Sequence, residues 1–242
     1  MFMAIRPILA SVMLTAGLTG PFSFDGQTWC PSYQAQNGCT STQAPSQYSV
    51  KFAASQVTMS GSTVDLTMDS ADGVTGAFND NTYSSEYVND DMEEWADINV
   101  PCDAAGNIEN WPAFWLDGTV GSWPEHGEID IAEGLVENGS THTWWHYWYY
   151  DPATKEKADV GGEYTGADCG SHWYTVSRTP TSIKFYKDSV LQGTVTDSDL
   201  DGGATLATDP MYTLFDYGAG EWGGPTTNGA VMQVSGIGTY NY

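Results

Sequence analysis

From residue 21 onward, apolar and polar residues alternate in short runs separated by turn signals, the pattern of half-buried β-strands. "QYSVKFA" (47–53) and "SQVTMSGSTVDLTM" (55–68) alternate in this way, with "SGS" predicted as a hairpin turn. "EEWADINVP" sets Ala96, Ile98 and Val100 against Trp95, Asp97 and Asn99. "THTWWHYWYY" is dense in aromatics, and a regular strand there places His142, Trp144, His146, Trp148 and Tyr150 on one face. "HWYTVSR", "SIKFYKD" and "SVLQGTVT" predict a three-strand meander, and "PMYTLFDYG" and "AVMQVSGIGTY" the closing strands. No stretch has the period of a long amphipathic helix. Strands at this spacing predict an all-β sandwich or barrel. No repeat or linker divides the chain, so residues 21–242 read as a single domain.

Composition narrows the partners. The formal charge is −24, from 31 acidic and 7 basic residues. A surface of that sign argues against nucleic acid and anionic membranes as partners. It also disfavours sulfated or carboxylated polysaccharides, because the basic residues form no cluster. A neutral ligand is expected, and a monomer. The first twenty residues carry Arg6, an apolar stretch from Ile8 to Leu18 and small residues after it, which predicts a signal peptide over 1–20 and a secreted protein. No other run is long and apolar enough to span a bilayer. Four cysteines allow three pairings, of which Cys30–Cys39 with Cys102–Cys169 is favoured. No pair has zinc-finger spacing, so no metal site is expected from the cysteines.

The chemistry concentrates in "HGEIDIAEGL" (126–135). On a regular strand Glu128 and Asp130 share a face while Glu133 points away. One inserted residue, at Ile131–Ala132, would bring Glu133 round to join them, as a β-bulge does. A retaining glycosidase needs two carboxyl groups about 5–5.5 Å apart. Residues two strand steps apart are separated by roughly 6.6–6.8 Å at Cα, so a bulged three-acid run can reach that range. Asp130 between the two Glu side chains raises the cost of ionising all three, which keeps a proton on the site at neutral pH. A hydrogen bond from Asp130 can also hold Glu128. Ile129 and Ile131 alternate with the acids, so the opposite face is apolar. Trp111, Trp115 and Trp123 precede the acids, and indole rings stack on the C–H faces of sugars.

"NWPAFWLDG" followed by "WPEHGEIDIAEGL" resembles the active-site signature of glycoside hydrolase family 16, in its bulged, laminarinase-like branch with Glu-x-Asp-x-x-Glu. The likeness continues through "HWYTVSRTPTSIKFYKDSV", "YTLFDYGAGEWGGP" and "VMQVSGIGTY" and covers roughly residues 22–242. It implies a concanavalin-like β-jelly roll, a sandwich of two antiparallel sheets with a concave substrate cleft. It implies Glu128 as nucleophile, Asp130 as its assistant and Glu133 as acid/base. It further implies a retaining endo-glycosidase acting on a neutral β-glucan, foremost β-1,3-glucan. Trp111, Trp115, Trp123, His146, Trp148 and Asn79 are the expected substrate-binding residues, Asn79 from a loop. The chain departs from the family pattern at Asp97, Arg178, Asp216, Ser235 and Gly238. Ser235 stands where the family's structural calcium site often has Asp, so no cofactor is expected. A transglycosylase, a hydrolase of mixed-linkage glucan or agar-type galactan, a non-catalytic glucan-binding module and a structural surface protein are the alternatives.

Overall fold

The computed structural model describes residues 17–18, 20–31, 53–70, 75–79, 91–118, 122–220 and 222–242, with residues 75–79 and 241 described by backbone alone. Among these residues the chain forms fifteen strands and three single-turn 3-10 segments. The first strands are β1 (Phe22–Phe24), β2 (Gln27–Cys30), β3 (Val57–Ser60), β4 (Thr63–Thr67) and β5 (Thr75–Asn79). Then come β6 (Met92–Val100), β7 (Trp111–Gly118), β8 (Glu128–Glu137), β9 (Ser140–Asp151) and β10 (Glu156–Glu163). The last are β11 (Gly170–Thr179), β12 (Ser182–Lys187), β13 (Val190–Val195), β14 (Met211–Gly218) and β15 (Val231–Asn241).

The strands make two antiparallel sheets, of order β1-β2-β5-β14-β7-β8-β9-β10 and β13-β12-β11-β6-β15-β4-β3. Strands distant in sequence lie side by side, as in the expected jelly roll. Alternation explains the layering. Phe114, Leu116, Ile129, Ile131, Tyr147 and Phe215 point inward from the first sheet, and Ala96, Ile98, Val100, Val176, Phe185 and Val234 from the second. Trp145 stacks on Phe185 with ring centroids 4.7 Å apart, joining the two layers. Each buried Val, Leu, Ile or Phe among them contributes about 1.5–3 kcal/mol.

The hairpin predicted at "SGS" turns at Gly61 with φ +65, and Ser60 pairs with Thr63. Strands β11, β12 and β13 form the expected meander. The strand expected over 47–53 lies outside the described residues except for Ala53, and Ala54–Gln56 is a 3-10 turn ahead of β3. Residues 1–16 and 19 of the expected leader are also outside them, whereas the Leu18 N–H donates to the Val57 carbonyl at 2.8 Å. Cys102 and Cys169 form a disulfide with Cα atoms 5.7 Å apart, linking the chain after β6 to the start of β11. Cys30 is disulfide-bonded, and its predicted partner, Cys39, lies outside the described residues.

The departures from the family pattern have local partners. Arg178 is 1% exposed, and its Nη2 donates to the carbonyls of Ala207 (2.5 Å) and Asp209 (2.9 Å). Asp209 in turn binds His126 Nδ1 at 2.8 Å, so the guanidinium fixes the loop that holds the approach to β8. Asp97 accepts hydroxyl bonds from Ser171 and Ser235. A Cβ at Gly238 would lie 2.6 Å from the Trp95 indole, so glycine there makes room for that ring.

Candidate active site

Register settles which way the three acids face. Strand β8 pairs with β9 through Glu128↔Trp148, Asp130↔His146 and Glu133↔Trp144. Two steps separate each successive partner on β9, while on β8 three separate Asp130 from Glu133, so the shift between them is a bulge at Ile131 and Ala132. The matching shift on the other side gives Asp130↔Trp115 and Glu133↔Ala113 against β7. Glu128, Asp130 and Glu133 therefore share the outer face of the first sheet, while Ile129 and Ile131 remain in the core.

Strand β9 supplies the opposing row of Trp144, His146 and Trp148. The rings of Trp144 and His146 are stacked, 6.0 Å apart. His146 can lean over β10 because Gly161 faces it, and a Cβ there would collide with the imidazole. The same edge explains why β10 escapes a pattern search. "EKADVGGE" carries paired glycines because the rings of His146 and Trp145 occupy the space beside Gly161 and Gly162.

Four acids are each held by a different indole. Trp123 Nε1 donates to Glu128 Oε2 (2.9 Å), and Trp148 Nε1 to Asp130 Oδ2 (3.0 Å). Trp111 Nε1 donates to Glu133 Oε1 (2.9 Å), and Trp115 Nε1 to Asp216 Oδ1 (2.6 Å). The hydrogen bond on Glu128 thus comes from Trp123 rather than from Asp130, as the spacing had suggested. Trp115 is 6% exposed and packs with Cys30, Ala113 and Leu214. Its polar edge reaches the site, but its ring faces are covered. Trp111, Trp123 and Trp148 are half-buried and keep part of their surface exposed. Lys157 reaches over two of them, its Nζ 4.9 Å from the Trp123 ring and 5.4 Å from that of Trp148. Asn79, expected in a bordering loop, instead ends β5 and pairs with Trp29, and its side chain lies outside the described residues.

Two further acids belong to the cluster. Asp117 lies directly across from Glu128, and Asp216 lies across β7 from Glu133 by way of Ala113. Period-two spacing from Trp111 and Trp115 marks Asp117 as outward-facing, a signal available in the sequence. Burial pushes Glu128 well above the usual carboxylate range, reinforced by Asp130, Asp117 and Glu133 and opposed by the Trp123 N–H. Burial does the same to Asp130, reinforced by Glu133 and opposed by the Trp148 N–H. Asp216 is raised to about 8 and Asp117 to about 7, again chiefly by burial. The cluster therefore retains protons at neutral pH.

Comparison with known proteins agrees with this geometry. The sequence model "Glycosyl hydrolases family 16" matches residues 44–234. An endo-1,3-1,4-beta-glycanase, EglC, from Rhizobium meliloti is 29% identical over 143 residues, 54% of this chain and 27% of the relative. A beta-1,3-glucan-binding protein from Penaeus monodon is 33% identical over 98 residues, 35% of this chain and again 27% of the relative. The match thus spans about a quarter of the length of these curated relatives. Among solved structures, LamAcat from Zobellia galactanivorans superposes with a TM-score of 0.61 at 16% identity, covering 96% of this chain and 99% of that one. That likeness is one of fold. The family match covers well over half of the sequence and includes all three bulge-strand acids, and by it the chain belongs to glycosyl hydrolase family 16.

Proposed function

We propose that the chain is a retaining endo-glycosidase that hydrolyses a neutral β-glucan, with β-1,3-linked glucan the first candidate. The observation that carries this reading is the bulge between Asp130 and Glu133, which puts two Glu side chains on one outer face with Asp130 between them. Glu128 attacks the anomeric carbon while Glu133, protonated, gives its proton to the leaving oxygen. Water then attacks the glycosyl-enzyme, with Glu133 taking the water's proton and Glu128 departing. Turnover requires Glu128 ionised and Glu133 protonated. Trp123 and Trp111 each bind only one carboxylate oxygen of these residues, so the other is not taken by an indole. Trp111, Trp123 and Trp148 offer partly open indole surface for sugar rings. The absence of any cluster of basic residues favours an uncharged polymer. We also propose export, on the strength of the leader pattern and the Cys102–Cys169 disulfide.

The test is product release from laminarin, mixed-linkage glucan, xyloglucan and agarose by wild type and Glu128→Gln, with the anomer of the first product read by NMR. Oligosaccharides of retained configuration from one polymer, absent in the variant, are expected. One observation favours a second reading, the stretch shared with a shrimp protein named for β-1,3-glucan binding. Binding to laminarin with no products from any polymer would establish that reading instead.

A further inference from the structure

Beside two of the acids stands an imidazole that the proposed hydrolysis does not use. His146 is 9% exposed, and its Nδ1 is buried without a hydrogen-bond partner. That nitrogen lies 3.3 Å from Glu133 Oε2 and 3.9 Å from Asp130 Oδ2. One ligand atom from each of the three residues lies within 4.8 Å of the other two. A tetrahedral ion with bonds of about 2.0–2.2 Å holds its ligand atoms roughly 3.3–3.6 Å apart, so a small inward movement would close the three onto one centre.

From this geometry we propose that His146, Asp130 and Glu133 form a site for a divalent transition-metal ion of the zinc class, whose occupancy blocks the cleft. The donor set selects the class. One imidazole nitrogen and two carboxylate oxygens suit zinc or cobalt, whereas calcium requires six to eight oxygens and magnesium a near-ideal octahedron. Trp111 binds the other oxygen of Glu133, which fixes that carboxylate with Oε2 turned toward His146. A water molecule would complete the tetrahedron. An ion held on Glu133 Oε2 occupies the oxygen that the proposed acid/base role needs. Affinity falls with pH as protons compete. Metal binding requires no catalysis, so the site stands or falls separately from glucan cleavage.

Calorimetric titration of the metal-stripped full chain with zinc chloride tests the site. One saturable equivalent is expected. It should weaken at least tenfold in His146→Gln and in Glu133→Gln and stay unchanged in Glu137→Gln, an exposed acid on the same strand. An equivalent that survives both substitutions, or no saturable binding at all, overturns the proposal. A measurement on wild type guards against misfolded variants. Of the four histidines, the imidazole nitrogens of His146 are expected to shift in the NMR spectrum as zinc is added. Shifts confined to His126, His142 or His172 would place the ion elsewhere and overturn the assignment.

Discussion

The outer faces of the two sheets carry similar residues and put them to different use. On the first, Glu128 and Asp130 are 3% and 6% exposed, and indole N–H groups point into them. On the second, Asp97 lies at the surface and takes the hydroxyls of Ser171 and Ser235, while Trp95 and Trp173 pack on each other at 4.7 Å with Trp173 47% exposed. Tryptophan beside aspartate is common to both. Burial separates them, because a carboxyl out of water is expensive to ionise and its few hydrogen bonds then decide its state. A residue list does not make a site. Excluding water from the acids, with one donor left for each, makes this one.

Glu133→Gln on the first face should have the largest effect, lowering kcat by about 10²–10⁴-fold on an unactivated glucan, as loss of a general acid does. Asp97→Asn on the second face should leave kcat unchanged. Next comes the indole donor. Trp123→Phe keeps an aromatic ring, though a smaller one, and removes the N–H from Glu128, a charge-assisted bond worth about 1.5–3 kcal/mol. A loss of roughly 10–100-fold follows, and the acidic limb of the pH–rate profile should move to higher pH because this N–H favours the ionised form.

A third acid environment, neither face but the core, sharpens the contrast. Glu94 is fully buried between the sheets, accepts the Thr213 hydroxyl at 2.6 Å, and is raised to about 8 by burial. Its folded value exceeds the unfolded one, so protonation stabilises the fold fully below the ordinary 4.5, and that stability is lost as pH rises toward 8. Glu94→Gln should flatten the dependence and leave the variant more stable at pH 8 by on the order of 2–4 kcal/mol in urea unfolding. The smallest effect is expected from Asp117→Asn. Removing a negative neighbour eases ionisation of Glu128, so the acidic limb should move to lower pH with little change in the maximal rate. A shift in the other direction would contradict the assigned role of Asp117.

Much of this was legible in the sequence. The Glu-x-Asp-x-x-Glu spacing called for a bulge at Ile131–Ala132, and the alternation of "THTWWHYWYY" put His146 and Trp148 on the face that meets it. Strand β10 was hidden because its glycines answer to the rings of a neighbouring strand rather than to its own pattern. Asp117 and Asp216 escaped notice as site residues because one more acid is unremarkable in a chain with 31 of them. The use of the indoles was only half visible. Sequence shows that tryptophan stands near carboxylates, but only the pairing of strands shows which edge of the ring meets which oxygen.

The four indole–acid pairs also give the molecule an optical property. Four of the ten tryptophans donate their N–H to separate acids of one coupled cluster. Indole emission responds to the charge beside it, so the protein carries a built-in reporter of where its protons sit. A fluorescence titration repeated with Trp111, Trp115, Trp123 and Trp148 each changed to Phe would assign the emission changes to individual acids without any added probe. The same signal would register a glucan chain, or a metal ion, as it enters the cleft.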